Sequence, residues 1–155
     1  MKTYKSLVES ILPEIKELFP WDLDEKLNKG DDVLLVDITE PREYNKLHIK
    51  DTINVPRGVL EAACEWDFED TEPALASARD REVVLICRSG NRSALAAHTL
   101  QQMGFNKVMS LKTGVRGWFD YELPLYDADG KEVDEDEADE YFSKGPRPDQ
   151  LRPAD

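Results

Sequence analysis

An unbroken apolar run, Val83-Val84-Leu85-Ile86, ends in Cys87-Arg88-Ser89-Gly90-Asn91-Arg92-Ser93 and leads at once into a stretch where Ala96, Ala97, Leu100 and Met103 share a helical face. β-branched residues without polar interruption predict a strand buried on both sides, and the spacing that follows predicts a helix. Few folds accept that arrangement: a parallel sheet, with a helix returning over it and a polar loop at the strand's carboxyl end. The loop opens with a cysteine that faces successive backbone N–H groups and a helix N-terminus. Such surroundings stabilise negative charge, so a thiolate is expected at Cys87.

The rest of the chain alternates strands and helices in the same way. Val33-Leu34-Leu35-Val36-Asp37 predicts a second central strand ending in a carboxylate. Glu40-Pro41-Arg42-Glu43-Tyr44 starts a short helix with proline in its first turn. Thr52 to Pro56 predicts a further strand, Gly58 to Trp66 and Glu72 to Ala78 predict helices, Val108-Met109-Ser110 a strand, and Gly114 to Phe119 a helix. Strand–helix alternation of this kind predicts an α/β fold whose central, mostly parallel sheet carries helices on both faces.

The two ends differ from this body. Tyr4, Leu7, Val8, Ile11, Leu12, Ile15, Leu18 and Phe19 follow helical spacing, so residues 1–20 are expected to form an amphipathic helical extension, kinked or divided at Pro13. Asp22 can cap a short helix that stops near Gly30. The α/β body is expected over 21–126. Residues 127–155 hold eleven acids and four bases, more than half of the chain's net charge of −13. Like-charge crowding, with Pro146, Pro148 and Pro153, predicts a flexible, solvated tail in which Tyr141 and Phe142 are the only anchors.

An acidic chain is a poor ligand for nucleic acid or anionic membranes, and no apolar run approaches the length of a membrane span. A charged start without a signal-like apolar core leads to the expectation of a cytoplasmic protein. Two cysteines, Cys64 and Cys87, form neither a disulfide framework nor a paired zinc motif, so no metal or other cofactor is expected. The value of such a thiol lies in its reactivity.

Cys87-Arg88-Ser89-Gly90-Asn91-Arg92-Ser93 resembles the active-site loop of single-domain rhodaneses. Asp37 with Glu40-Pro41-Arg42-Glu43-Tyr44, His48-Ile49 and Ile53-Asn54-Val55-Pro56 is similar to the first half of that family, and Leu111, Gly114 and Trp118 to its closing motif. There are departures: Thr39 stands where the family commonly has arginine, and Leu47, Asp51 and Thr113 stand where glycines are expected.

The resemblance implies a rhodanese-like fold and sulfur transfer in two steps. A Cys87 thiolate takes the outer sulfur of a small anionic donor such as thiosulfate, and the persulfide passes it to cyanide, a thiol or a protein acceptor. The amides from Arg88 to Ser93 could cradle the sulfur, and Gly90 permits the backbone curl this needs. Arg88 is placed to meet an anionic donor, Arg92 either holds the loop together or meets substrate, and Ser93 is a natural helix N-cap. Asp37 is expected to support the loops by hydrogen bonding.

Two other readings stand beside this one. Cysteine phosphatases of related fold place five residues between cysteine and arginine, and here Cys87 and Arg92 are separated by four. The shorter loop suits a sulfur atom better than a phosphate, so phosphatase or arsenate-reductase activity is the weaker reading. A sulfur-relay or partner-docking module with little small-molecule turnover is the second. Of the remaining residues, Cys64 is expected as a small buried hydrophobe, His48 as a structural histidine, His98 without chemistry, and Tyr44, Trp66 and Trp118 as core aromatics that could shape the mouth.

Overall fold

Glu82–Ile86 forms the middle strand because nothing along it beyond Glu82 needs water: Val83, Val84, Leu85 and Ile86 are all buried. In the computed structural model, which describes residues 1–154, the strands are β1 (Lys16–Leu18), β2 (Val33–Asp37), β3 (Ile53–Asn54), β4 (Glu82–Ile86) and β5 (Val108–Leu111). They form one parallel sheet in the order β1-β5-β4-β2-β3. Asp37 pairs in register with Ile86, so the two central strands end level and deliver their next residues to one edge.

The helices are α1 (Tyr4–Ile11), α2 (Pro20–Asn28), α3 (Pro41–Lys46), α4 (Leu60–Ala63), α5 (Pro73–Ala76), α6 (Asn91–Gln102), α7 (Gly114–Asp120) and α8 (Glu135–Ser143). They cover both faces of the sheet, as a parallel sheet requires. Val83, Leu85 and Cys87 face a core built with Leu60, Ala63, Leu75, Ala96, Ala97 and Leu100 from α4, α5 and α6. Val84 and Ile86 face the opposite core, with Leu23, Val115, Trp118, Ala138 and Phe142 from α2, α7 and α8. Strand alternation therefore sends Cys87 toward α6 and Arg88 toward α7 and α8.

Both ends of the chain depart from expectation. The N-terminal segment is not helical to Phe19: α1 stops at Ile11, a 3-10 turn runs over Leu12–Glu14, and Lys16–Leu18 joins the sheet beside β5. Pro13 interrupts the helical ladder, and Leu18, which fits helical and strand spacing alike, is buried as part of an edge strand. The extension is thus an integral part of the α/β body. Its α1 lies on α6, where Val8 and Ile11 pack on Ala94. Helix α2 also begins earlier than expected, at Pro20, and Asp22 accepts the Phe19 amide at 3.1 Å from inside its first turn.

Part of the acidic segment folds. Asp134 caps α8 by accepting the Asp136 amide at 2.8 Å, and Glu135, Asp136 and Glu137 lie at the positive end of the helix dipole. Ala138 and Phe142, one turn apart on one face, are 1% and 4% exposed, and Phe142 packs on Phe119 with ring centroids 5.5 Å apart. The acids point outward while two apolar residues carry the docking. Phe142→Ala should cost about 3 kcal/mol of that docking; limited proteolysis should then cut within 134–143 before the sheet is attacked, and an unchanged digestion pattern would contradict the assignment.

Candidate active site

At the carboxyl edge β4 turns into the loop from Cys87 to Gly90. Cys87 is 1% exposed, and its Sγ accepts hydrogen bonds from the amides of Gly90 at 3.1 Å and Ser93 at 3.3 Å. The Ser93 hydroxyl lies 3.3 Å from the sulfur on a third side, close enough to accept from the thiol or donate to the thiolate. Gly90 adopts φ +94°, and a side chain there would press on the Thr113 amide.

The loop curls because its carbonyls are satisfied from behind. The first turn of α7 supplies Val115 N to Cys87 O at 2.9 Å and Arg116 N to Arg88 O at 3.0 Å. Gly114, at φ +61°, lies so close to those carbonyls that any side chain would collide with them. The preceding Thr113, where a glycine was expected, keeps the left-handed backbone at φ 68°, and Asp51 does the same at φ 62°. Both replacements retain the glycine's conformation at a cost of about 1–2 kcal/mol each. Leu47, the third replacement, is buried among the aliphatic residues of the α7 and α8 face.

Ser93 is not the helix cap. Helix α6 starts at Asn91 with Gly90 before it, so Ser93 sits in the first turn, fully buried and turned to the sulfur. Behind it stands Ser110 of β5, also fully buried, with the two hydroxyls 2.7 Å apart. The chain Ser110–Ser93–Cys87 orients the hydroxyl on the sulfur. Ser110 was missed in the sequence; the signal was one small polar residue inside Val108-Met109-Ser110-Leu111.

The two loop arginines part company. Arg92 forms a two-pronged pair with Glu43 of α3, at 3.0 and 2.9 Å, so it ties the loop to the body. Burial alone would push the Glu43 carboxyl up, but the Arg92 bonds and the Glu40 amide outweigh it and hold it below the usual carboxylate range. The same pair raises Arg92 further. Arg88 lies on the other face, its guanidinium 4.8 Å from the Tyr141 ring centroid and 5.3 Å from that of Phe142. Ser89 and Asn91 are exposed.

Asp37 is 1% exposed; its Oδ1 accepts the Thr39 amide at 2.9 Å and the Thr39 hydroxyl at 2.5 Å, while Oδ2 has no protein partner. Thr39, in the place of an arginine, thus supplies neutral donors. Burial pushes the Asp37 carboxyl up despite them. His48 stacks on Tyr44 at 3.8 Å and its Nδ1 lies 2.7 Å from the Tyr44 carbonyl, a structural arrangement. Cys64 is fully buried, which pushes its thiol up to about 11 and leaves it protonated. Trp118 is core, whereas Trp66 is 53% exposed and outside it. His98 pairs with Glu14 of the N-terminal segment at 3.2 Å. Tyr4 begins α1, and its phenol is pushed up by partial burial and by Cys87. Among the described residues no cluster of three His, Cys, Asp or Glu side chains could hold a metal ion, and no helix is long and apolar enough to cross a membrane.

A buried cysteine sulfur held by main-chain donors at the carboxyl edge of a parallel sheet matches a described family. The model of the rhodanese-like domain fits residues 20–121. The chain belongs to the rhodanese-like family. It is 32% identical over 118 residues to a sulfurtransferase of Allochromatium vinosum, covering 75% of this chain and 99% of that one. It is 36% identical over 113 residues to "Putative sulfur carrier protein YrkF" of Bacillus subtilis, covering 70% of this chain but only 52% of that protein. Among solved structures, a Rhodopseudomonas palustris protein of unknown function, described as a possible tyrosine phosphatase, aligns with TM-score 0.73 and 30% identity over 81% of this chain and 95% of that one. Of these relatives, the Allochromatium vinosum protein is named a sulfurtransferase and the Bacillus subtilis protein a putative sulfur carrier, and this chain shares the rhodanese-like domain.

Two outcomes test the site. Ser93→Ala or Ser110→Ala each leaves a buried hydroxyl short of its partner and should cost about 1–3 kcal/mol, whereas the double variant should cost less than the sum of the two, read by urea denaturation. Asp37 has a raised value in the folded state, so its charge opposes folding increasingly as pH rises through the carboxylate range. Asp37→Asn should therefore match the parent's stability in acid and exceed it at neutral pH; an equal difference at both would remove the role given to burial.

Proposed function

We propose that the protein is a sulfurtransferase that moves sulfane sulfur from a donor such as thiosulfate to a thiol or cyanide through a persulfide on Cys87. The observation that carries this is the convergence of two amides and one hydroxyl on a single buried sulfur. The Cys87 thiolate attacks the outer sulfur of thiosulfate; the S–S bond to Cys87 forms as the bond to the sulfonate sulfur breaks, and sulfite leaves with that electron pair. An acceptor thiolate then attacks the terminal sulfur, the Cys87 persulfide bond breaks, and the Cys87 thiolate returns. Both steps leave negative charge near the loop, where preorganised N–H groups stabilise it without rearranging.

Ser89 and Asn91, both exposed, frame the approach of the donor, Gly90 and Ser93 hold the sulfur from within, and Arg88, which pairs with no carboxylate among the described residues, is the cation that can meet the donor once it leaves the α8 rings. Arg92 supports the site through Glu43. That pairing also favours sulfur over phosphate chemistry, because the arginine that would grip a phosphate is already committed and only four residues separate it from Cys87. A sulfur-relay role is the second reading, favoured by the occupied guanidinium of Arg88 and by the sulfur-carrier relative.

Incubation with thiosulfate should add the mass of one sulfur atom to the Cys87 peptide and none in Cys87→Ser. Turnover with cyanide should accompany it for the first reading, and adduct with poor turnover would favour the relay. Hydrolysis of an aryl phosphate that is lost in Cys87→Ser would overturn both.

A further inference from the structure

We propose that α8 is a latch on Arg88, and that Tyr141 thereby sets how strongly the loop takes small anionic sulfur donors. The inference rests on the reading of Cys87 as a sulfur carrier and adds a specificity-determining residue to it. Arg88 is adjacent to the nucleophile, yet its guanidinium lies against two aromatic rings of α8, and its Nη2 reaches the Tyr141 carbonyl at 3.4 Å. A cation held against ring faces and a carbonyl is turned away from solvent anions. The cleft it shares with Asp37, Thr39, Glu43, Tyr141 and Phe142 has only about 10 Å³ of open space, room for about one water.

The surroundings of the latch work in the same direction. Helix α8 carries Glu135, Asp136, Glu137, Asp139 and Glu140 and no base, so a dianion approaching Arg88 meets negative charge first. The helix is held at its outer side by Lys46 of α3, 2.9 Å from Glu137, with both side chains about half exposed. An exposed pair of this kind is weak and screened by salt. Phe142 is buried and anchors the helix, whereas Tyr141 is only partly buried, so its ring can be removed without opening the core. With the latch closed, Arg88 is withheld; without the Tyr141 ring only the Phe142 ring and the 3.4 Å carbonyl contact hold the guanidinium, and it is freer to swing toward the mouth of the loop.

The test compares Tyr141→Ala with Tyr141→Phe in the full chain. Loss of the ring should raise the rate at which phenylglyoxal modifies Arg88, read by peptide mass spectrometry, and should lower the KM for thiosulfate by about tenfold with kcat unchanged. Tyr141→Phe, which keeps an aromatic face, should stay with the parent in both. Adding Arg88→Ala to Tyr141→Ala should remove the gain in KM, which a purely structural role for Tyr141 would not produce. An Arg88 labelling rate unchanged in Tyr141→Ala overturns the latch, and a KM that stays level or rises while Cys87 still takes up sulfur overturns its role in donor selection. If Cys87 takes up no sulfur in any variant, the sulfurtransferase reading and donor selection fail together, while Arg88 labelling still decides whether the latch exists.

Discussion

The donation of two α7 amides to the carbonyls of Cys87 and Arg88 is the contact on which the site depends. A peptide unit cannot point both ends inward, so amides of the loop can face the sulfur only where the intervening carbonyls are satisfied from outside. The first turn of α7 does this because Gly114 brings the helix closer than a side chain would allow. Gly90 meets the same requirement from the other side. The closing motif far along the chain and the cysteine loop are therefore one unit, and the parallel sheet exists, functionally, to bring the ends of β4 and β5 level.

This arrangement explains how a chain of net charge −13 can present an anion-stabilising centre. The local positive field comes from main-chain N–H groups and the start of α6 rather than from free cations. Of the two loop arginines, Arg92 is neutralised by Glu43 and Arg88 is faced by aromatic rings. Neither guanidinium is among the groups that touch the sulfur, which are the Gly90 and Ser93 amides and the Ser93 hydroxyl. Side-chain charge in this protein governs loop shape and approach, and backbone dipoles govern the sulfur itself.

Much of the fold was legible because parallel strands buried on both faces leave long apolar runs. Val33–Asp37 and Val83–Ile86 stand out for that reason, as do the proline and glycine boundaries of α3 and α7. Lys16–Leu18 did not stand out, since three residues satisfy helical and strand spacing equally and only the vacant edge of β5 decides between them. α8 was hidden by its charge: five acids dominate its composition, while Ala138 and Phe142 become an anchoring face only once the α7 side of the sheet offers them a place.

The cysteine, its loop length and the residues needed for a tight curl are local properties, and the sequence by itself determined them: a cysteine separated from Arg92 by four residues, a glycine able to adopt positive φ, and a helix following. What each neighbour does was decided only by tertiary structure. Ser93 became a donor to sulfur rather than a cap because the helix begins two residues before it, Ser110 acquired a role through strand register, Arg92 found Glu43 and Arg88 found Tyr141. Those partners lie 17 to 53 positions away in the chain. Covalent spacing sets what a loop can be, whereas hydrogen-bond and charge partners are chosen by which strand ends and helices the fold makes adjacent.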